Sequence, residues 1–502
     1  MSRTDTLSVY SAAAGSHDAD NGRAASGQRC RLCGCALILL LAAVLFAINV
    51  PRIFTYDFWS DECFSVLLSH MSFRDMLSAT AVDVHPPFFY AVVMLFYRLF
   101  GDQAWAYGLA ALIPFGASLL LCATYLRRKF GCEAAALTML CWTFMYNAVT
   151  YNSELRMYSW TSFFVFSCFC LLYACLEGHS WLSHILLGLT AAMASYCHYY
   201  GFLSAGLLLL GLLVHALRER VNLKKCLVTC LCAFLAYLPW LLVLLETFAR
   251  SSAGFWLNDV PSLMECLTFP FKLGRGRLLG DLLLLVFVAL FVYAMTKSGR
   301  VTVACKGHNP STVTSWLAIG MLSWLGTALV GLALSWLVHP FLITRYLIPV
   351  APIAWTMLSV MAMRYLERPY LTWGLIVALI LMGVPSYCQR MADASERYGV
   401  HQQTMDALTS SIQSGDTILT DTYALDWTVL SVYMPGCPHE PYDPASPPVL
   451  SPDKSYWLML ESEKELDAAR AGFESQGYDV VDTGIFGLIV KYPVHLYRIE
   501  RL

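Results

Sequence analysis

Charged side chains are scarce in this chain. Asp, Glu, Lys and Arg make up 14% of its 502 residues, whereas 58% of the residues are hydrophobic. A water-soluble domain carries roughly a quarter charged residues, so the composition excludes an ordinary soluble protein and indicates a membrane protein. The 33 basic and 35 acidic residues nearly cancel. Because there is no basic excess, the sequence does not favour nucleic acid as a partner.

The chain also lacks the cysteine spacing of a metal or disulfide framework. Most of its 18 cysteines lie in apolar runs, where cysteine acts as a small hydrophobic side chain. Cys30, Cys33 and Cys35 are spaced almost like zinc ligands, but no second cysteine or histidine pair accompanies them. The cysteines therefore indicate neither a zinc site nor a redox compartment. No Asn-x-Ser/Thr sequon is present either, which is compatible with a bacterial protein.

Long apolar runs are the main feature of the sequence. Residues 1–31 are rich in Ser, Gly, Ala, Asp and Arg and predict a disordered cytoplasmic tail. Residues 32–50 follow several arginines and predict an uncleaved first span with the N-terminus in the cytoplasm. Further apolar runs, each near the ~20 residues that cross a bilayer, lie at 104–126, 132–150, 159–176, 181–197, 201–217, 226–246, 278–296, 314–338, 347–363 and 370–386.

Basic clusters between these runs predict the topology. They lie near 127–129, 218–225, 297–306 and 364–368. All of them fall on the cytoplasmic side only if residues 88–100 lie on the outer surface without crossing. We therefore expect an all-α polytopic domain of eleven spans over residues 32–386. A small extracytoplasmic α/β domain is predicted over residues 387–502, where the composition changes.

An acidic pair, Asp61 and Glu62, follows the first span where the chain leaves the bilayer. Ionisable residues at a membrane edge suggest a functional site, although the pair could also be solvated residues of an outer loop. The predicted topology places further polar residues on the same outer face: Asp83 and His85, Glu154 and Arg156, His198 and Tyr199, and Arg345 and Tyr346. We therefore expect the chemistry outside the membrane.

The order of these motifs resembles a known superfamily. The motifs are Asp61-Glu62, Asp83-x-His85-Pro-Pro-Phe-Phe-Tyr, Glu154-x-Arg156-x-Tyr, His198-Tyr199-Tyr-Gly and Arg345-Tyr346. Over roughly residues 35–365 they resemble the GT-C glycosyltransferases, most closely the bacterial branch related to protein O-mannosyltransferases and lipid A aminoarabinose transferases. The resemblance implies a polyprenyl-phosphate donor carrying a mannose-like hexose or related sugar. It also implies transfer on the outer side with inversion at the anomeric carbon.

The resemblance implies roles for the matching residues. In an inverting transfer one carboxylate takes the proton of the acceptor hydroxyl, and Asp61 is the candidate base. Glu62 either orients the acceptor or is a neighbouring solvated charge. His85, Arg345 and Tyr346 match positions that bind the donor phosphate. Alternatively, Arg345 only reaches to lipid headgroups, and His85 only caps the helix that follows it.

Five more residues are candidates for the acceptor side of the site or for support of the catalytic residues: Asp83, Glu154, Arg156, His198 and Tyr199. Glu154 and Arg156 could instead form a surface salt bridge, and His198 and Tyr199 could belong to an interfacial aromatic belt. The carboxylates could together hold Mg²⁺ or Mn²⁺. The branch that the chain resembles is generally independent of metal, so no metal or other cofactor is expected.

The sequence therefore predicts a polyprenyl-phosphate-sugar glycosyltransferase in a bacterial plasma membrane. Its expected partners are that donor, membrane lipids and an acceptor that is an envelope glycan, lipid or protein. A transporter or flippase for a lipid-linked sugar is an alternative, but transporters tend to have two related halves and ionisable pairs near the midplane. This chain has neither feature. A non-catalytic protein with a GT-C-like fold is a third interpretation. We expect the C-terminal domain to help position the acceptor.

Overall fold

The computed structural model describes residues 33–54, 57–178, 180–254, 257–296, 309–365 and 369–502. The predicted disordered tail lies outside these residues, and so does the whole basic cluster near 297–306.

Long apolar helices form the membrane domain, and the chain is a multi-pass membrane protein. Among the described residues, nine helices are long and apolar enough to cross a bilayer. They are Cys33–Ile53, Ala104–Phe130, Tyr158–Leu176, Tyr199–Glu219, Leu223–Ala253, Leu278–Thr296, Pro310–Leu337, Thr344–Met363 and Trp373–Ser411.

Three shorter apolar helices accompany them. Cys132–Phe144 and Trp181–Cys197, with 13 and 17 residues, correspond to the other two predicted spans. Phe88–Phe100 covers the run that is predicted not to cross. The total of eleven spans and the orientation of the two termini remain predictions.

Short helices connect the spans near the predicted outer face. They are Ser60–His70, Phe73–Val82, Tyr146–Tyr151 and Leu263–Thr268. The second of them begins where the Ser72 hydroxyl accepts the Asp75 N–H at 3.2 Å, which satisfies one of the free amides of the first turn. Pro87 caps the next helix, because its fixed φ suits a helix start and it has no N–H to leave unpaired. The connection between these two helices carries Asp83 and His85.

The last helix, Pro369–Ser411, has 43 residues. At 1.5 Å per residue it extends well beyond a hydrocarbon core of about 30 Å. It continues through residue 386, so the predicted domain boundary lies inside a helix. Its second half bonds to strand β4 and the β4–β5 turn, and so becomes part of the C-terminal domain.

A five-stranded sheet forms the rest of the C-terminal domain, and the predicted small α/β domain is confirmed. Its strands are β1 (Thr417–Thr420), β2 (His439–Pro441), β3 (Tyr456–Leu460), β4 (Tyr478–Ile489) and β5 (Tyr492–Arg501). The spatial order is β2-β1-β3-β5-β4. Strand β1 is parallel to β2 and β3, whereas β5 is antiparallel to β3 and β4. The short helices Leu425–Val429, Leu430–Tyr433 and Leu466–Glu474 connect the strands.

The sheet packs directly on the long helix. Thr404 on that helix accepts the backbone N–H of Leu488 in β4 at 3.0 Å. A Cβ added to Gly487 would lie 2.0 Å from Thr404 Oγ1, so this close approach requires glycine. On the same sheet, Phe473 of the helix Leu466–Glu474 is fully buried. One hydrophobic cluster runs from the membrane helices into the C-terminal domain, which fixes the position of that domain over the bundle.

Candidate active site

Asp61 lies in the first turn of the helix Ser60–His70, between two arginine side chains. Its Oδ2 is 3.4 Å from Arg345 Nη2 and 4.0 Å from Arg156 Nε. Arg156 also donates from Nη1 to the Asp61 carbonyl oxygen at 2.9 Å. The Asp61 side chain is 20% exposed, whereas Arg156 is 3% exposed. Asp61 is thus a partly accessible carboxylate held by two cations.

Glu62 has different surroundings, although it is the next residue. It is buried, and both of its carboxylate oxygens accept backbone N–H groups: Oε1 from Leu155 at 2.7 Å and Oε2 from Trp59 at 3.2 Å. These bonds fasten the loop 152–157 to the start of the Ser60–His70 helix. Glu62 is therefore not a solvated charge, and its contacts are those of a structural tether.

His85 and Asp83 pack against the buried guanidinium of Arg156. His85 Nδ1 lies 3.2 Å from Arg156 Nη2 and 3.3 Å from Asp83 Oδ2. Nδ1 therefore lies between Arg156, which can only donate, and the Asp83 carboxylate, which can only accept, and it bonds to one of them in each tautomer of the ring. Burial and the charge of Arg156 lower the pKa of His85, so its ring is neutral. Burial opposes ionisation of Asp83, but its contact with His85 and the charge of Arg156 outweigh burial and lower the pKa of its carboxyl.

Glu154 presents a second carboxylate beside Asp61. The Trp59 indole N–H donates to Glu154 Oε1 at 3.0 Å. The other oxygen, Oε2, is buried and has no hydrogen-bond partner in the described part of the chain. Burial raises the pKa of Glu154, against the opposing charges of Arg345 and Arg156. Glu154 therefore does not form the plain surface salt bridge that was one of the two predicted alternatives.

His198 and Tyr346 form the floor of this cluster. The rings of His198 and Tyr346 are 4.8 Å apart, and the His198 ring is 5.4 Å from that of His85. His198 Nδ1 accepts the Tyr200 N–H at 3.0 Å, which places the ring proton on Nε2. Burial lowers the pKa of His198, so it also is neutral. Its buried Nε2 has no partner among the described residues.

Tyr199 is the exception among the predicted site residues. Its hydroxyl bonds to Thr247 Oγ1, at 3.5 Å, and the nearby Asp83 acts on it only electrostatically. The structure brings the remaining predicted residues into one connected cluster: Asp61, Glu62, Asp83, His85, Glu154, Arg156, His198, Arg345 and Tyr346.

A cavity of about 780 Å³ opens beside this cluster. Trp59, Glu154 and Arg345 of the cluster line it, together with residues of the first span, of the helix Tyr146–Tyr151, of the long helix and of the β4–β5 turn. Its basic lining residues are Arg52, Arg275, Arg345, Arg390, Arg397 and Lys491, and its acidic ones are Asp57, Glu62, Glu154 and Asp393. Cations outnumber carboxylates, and a cleft of this kind attracts anionic substrates.

Several lining residues are absent from the sequence-based prediction. Arg390 and Arg397 are seven residues apart on the long helix and so share one face of it, a spacing that was readable. Asp57 precedes the acidic pair, and burial raises its pKa to about 6, with the charge of Arg397 opposing. Lys491 is contributed by the distant β4–β5 hairpin, and nothing in its local sequence indicates a site.

The described residues contain no group of three or more His, Cys, Asp or Glu side chains arranged to hold a metal ion. Glu62 is engaged by backbone amides, and Asp83 packs on His85. The carboxylates named in the sequence analysis therefore do not form an oxygen cage. The expectation that no metal is required remains a prediction.

Two comparisons with known proteins bear on this arrangement. The family model described as dolichyl-phosphate-mannose-protein mannosyltransferase matches residues 84–243, which include His85, Glu154, Arg156 and His198. No curated protein matches the chain.

Solved structures show the same fold over nearly the whole chain. A crystal structure of ArnT from Cupriavidus metallidurans bound to undecaprenyl phosphate is 13% identical, with a TM-score of 0.56, covering 92% of this chain and 97% of that one. The apo structure of the same protein gives a TM-score of 0.59 at the same identity and coverage. The fold is therefore that of a GT-C membrane protein, and the predicted resemblance is confirmed. Within that class the chain is similar to ArnT and carries a segment that resembles the protein mannosyltransferases.

Proposed function

We propose that this protein is an inverting glycosyltransferase that moves a sugar from a polyprenyl-phosphate donor to an extracytoplasmic acceptor. The observation that carries the proposal is the contact between Asp61 and Arg345, 3.4 Å apart beside a cavity with an excess of cations. This contact joins a potential base to a potential phosphate ligand. The ArnT structure bound to undecaprenyl phosphate supports a lipid-phosphate donor for a chain of this fold.

In the proposed reaction Asp61 acts as the general base. The acceptor O–H bond breaks, its proton goes to an Asp61 oxygen, and the acceptor oxygen forms the new bond to the anomeric carbon. The bond from that carbon to the phosphate oxygen breaks, and the polyprenyl phosphate leaves with the electron pair. Attack and departure occur on opposite faces of the sugar, which inverts the anomeric centre.

Cationic and hydrogen-bonding groups stabilise the departing phosphate. Arg345 carries a permanent charge and is 19% exposed, so it is available to a ligand. In the tautomer in which His85 Nδ1 accepts from Arg156, the ring proton is on Nε2, which can donate to a phosphate oxygen. Tyr346 packs beside both histidines and supports them. Such preorganised donors contribute most when charge develops on the leaving group.

Glu154 is the group best placed to orient the acceptor. Its buried Oε2 has no partner in the described residues, and it lines the cavity. A raised pKa also suits a carboxyl that shares the proton of the acceptor hydroxyl near neutral pH. We infer that Asp61 and Glu154 act on the same hydroxyl, with Asp61 as its final proton acceptor.

The finer parts of the proposal follow the sequence analysis. The sugar is a mannose-like hexose or related sugar, and the acceptor is an envelope glycan, lipid or protein. The protein lies in a bacterial plasma membrane with its N-terminus in the cytoplasm and its C-terminal domain outside. The reaction requires no metal.

Purified protein in nanodiscs, given a panel of radiolabelled polyprenyl-phosphate sugars and a crude envelope acceptor, tests the reaction. We expect the wild type to transfer label and Asp61→Asn to lower the rate by on the order of 10²-fold, the scale of losing a general base. The matched control is Asp453→Asn, an exposed carboxylate of the C-terminal domain, which should transfer at the wild-type rate.

The same assay separates the competing interpretations. If Asp61→Asn still transfers the sugar and Glu154→Gln does not, Glu154 is the base. In sealed vesicles, a donor that stays intact while the labelled lipid changes leaflet would support a transporter instead. Chelator treatment that abolishes transfer would contradict the metal-independent reaction.

A further inference from the structure

The turn of the β4–β5 hairpin contacts Trp59, which lies two residues before Asp61. Val490 and Lys491 connect Ile489 of β4 to Tyr492 of β5. The Lys491 Nζ is 3.8 Å from the centroid of the Trp59 ring, and both residues line the cavity. Trp59 in turn donates its indole N–H to Glu154. Only the side chain of Trp59 therefore separates Lys491, a residue of the C-terminal domain, from the catalytic candidate Glu154.

The backbone of this turn is strained. Val490 has a φ of 60°, a left-handed conformation that is a genuine outlier for a β-branched residue. Two-residue hairpin turns with a positive φ usually have Gly, Asn or Asp at that position. The left-handed conformation disfavours an L-residue because it brings Cβ too close to the following carbonyl oxygen. Strain of this kind persists where surrounding structure fixes it, and it concentrates at functional sites.

The surrounding structure does fix the turn. The Val490 N–H donates to Nδ1 of His401, a fully buried residue of the long helix, at 3.1 Å. The Val490 side chain is itself 3% exposed. The His401 ring also packs 4.8 Å from the ring of Tyr433, which holds the segment before Asp61. The turn is therefore anchored on the helix side, and Lys491 projects toward the cavity.

The ammonium group of Lys491 stands at the rim of a cavity that already attracts anions. Partial burial lowers the pKa of Lys491, while the charges of Asp61 and Glu154 act in the opposite direction. No described residue, Asp61 and Glu154 included, forms an ion pair of 4.0 Å or less with Lys491. Its described ring contacts, with Trp59 and Tyr492, leave its N–H donors available to an oxygen ligand.

We propose that the hairpin turn is part of the active site and that Lys491 binds an anionic oxygen, phosphate or carboxylate, of a substrate in the cavity. This inference rests on the proposed function for its substrates. The C-terminal domain then contributes directly to substrate binding and does more than hold the acceptor from outside. Either the phosphate of the donor or an acidic group of the acceptor supplies the oxygen.

A labelling experiment tests the binding without turnover. The protein in nanodiscs is treated with a lysine-acylating reagent, and acylation of Lys491 is measured by peptide mass spectrometry with exposed Lys454 as the internal reference. The probes are polyprenyl phosphate against polyprenol, and glucose 6-phosphate and glucuronate against glucose. We expect an anionic probe, but not its neutral partner, to slow Lys491 acylation at least 5-fold. Protection by polyprenyl phosphate assigns the donor, and protection by an acidic sugar assigns the acceptor.

Equal acylation with every probe, or equal protection by the neutral partners, would overturn the proposal even if sugar transfer is established. Conversely, selective protection would support it even if no transfer is found, so the two proposals can fail separately.

Kinetic measurements distinguish substrate binding by Lys491 from simple packing of its side chain on Trp59. Lys491→Met keeps the apolar stem and removes the charge, and should raise KM for one substrate about 10-fold or more with a smaller change in kcat. Lys491→Arg should restore most of the loss, and Lys454→Met should have no effect. An unchanged KM in Lys491→Met with only a lower melting temperature would mean that the lysine merely packs, and would contradict the proposal.

Discussion

Asp61 and Glu62 show at the scale of single residues how neighbours acquire different roles. Consecutive residues of a helix point about 100° apart, because the helix has 3.6 residues per turn. Asp61 therefore faces Arg345 and remains 20% exposed, whereas Glu62 turns into the protein and binds two backbone amides. The sequence predicts an acidic pair at this place, but it does not distinguish the base from the tether.

Replacing Glu62 tests this division. Glu62→Ala leaves the N–H groups of Trp59 and Leu155 without their acceptor and should lower the free energy of unfolding by about 1.5–3 kcal/mol, the range for hydrogen bonds to a charged group. The measurement is denaturant unfolding in detergent, with exposed Glu474→Ala as the control. Full stability together with a 10²-fold loss of transfer would instead mark Glu62 as a catalytic residue.

The two neutral histidines predict acid sensitivity. Burial lowers the pKa of His85 and of His198, so below the usual histidine value of about 6.5 the unfolded chain takes up protons that the folded protein does not. Stability is therefore retained above that pH and lost as the pH falls, by up to about 1.4 kcal/mol per pH unit for each histidine.

The test is the melting temperature of the protein in detergent between pH 7.5 and 5. We expect a fall with acidification that is smaller in His198→Gln, since glutamine does not titrate there. An identical pH dependence in wild type and His198→Gln would show that His198 does not carry the effect.

The proximity of the site residues was largely predictable from the sequence. The positive-inside rule assigns the loops that carry them to the same face of the membrane. Asp83 and His85, Glu154 and Arg156, and Arg345 reach the Asp61 cluster from three separate segments of the chain. Their partners were not predictable, since burial and side-chain direction depend on packing. Tyr199 illustrates this: it neighbours His198 in sequence, yet it faces Thr247.

At the scale of secondary-structure elements, the C-terminal domain holds the segment that leads into Asp61. The Tyr433 hydroxyl accepts the Phe58 N–H at 2.6 Å. Thr428 donates to the Ser60 carbonyl at 2.9 Å, and Tyr492 donates to the Ser60 hydroxyl at 3.0 Å. The short helices at 425–433 and strand β5 therefore fix the position of the N-terminus of the helix Ser60–His70, which carries Asp61.

Tyr433→Phe removes the hydroxyl that accepts the Phe58 N–H. We expect a loss of about 1 kcal/mol of stability, since one hydrogen bond contributes roughly 0.5–1.5 kcal/mol, and a 3- to 10-fold lower kcat because Asp61 is less well positioned. Transfer kinetics and unfolding are compared with those of Tyr423→Phe, which alters a tyrosine that is 74% exposed. If the two variants behave alike, the hydrogen bond between Tyr433 and Phe58 does not position the base.

Element boundaries were harder to predict than element types. The strand near 456–460 was readable from its continuous apolar run, and the strand near 416–420 from its β-branched residues after the turn at Gly415-Asp416. Both strands are fully buried in the sheet. Strand β2 has three residues inside a Pro-rich stretch, so it shows no periodicity. The boundary near residue 386 was placed where hydropathy falls, but a helix continues wherever its backbone bonds continue, and this one reaches Ser411.

At the scale of the whole molecule, the long helix joins the membrane domain to the C-terminal domain. It lines the cavity with Arg390 and Arg397 and carries His401 beneath the hairpin turn. The fold as a whole was predictable from span lengths and motif order, and the ArnT structures show it. The Lys491 contact was not predictable, because it depends on docking between distant parts of the chain.

Reporter fusions test the predicted orientation. Alkaline phosphatase fused after Leu502 should be active, since it folds only outside the cytoplasm, and a fluorescent protein fused there should be dark. Fusions after Lys129, in a predicted cytoplasmic cluster, should show the opposite pair of signals. The reverse pattern at residue 502 would place the C-terminal domain in the cytoplasm and would contradict an outer active site.

The measurement that tests the central claim most directly follows both products of the reaction at once. Purified protein in nanodiscs receives a doubly labelled polyprenyl-phosphate sugar and acceptor, and free polyprenyl phosphate, transferred sugar and the anomeric configuration of the product are recorded together. The account predicts equal amounts of released lipid phosphate and transferred sugar, an inverted anomeric centre, and the loss of both products in Asp61→Asn. Retention of the anomeric configuration would contradict the account. Movement of the label while the sugar–phosphate bond stays intact would also contradict it.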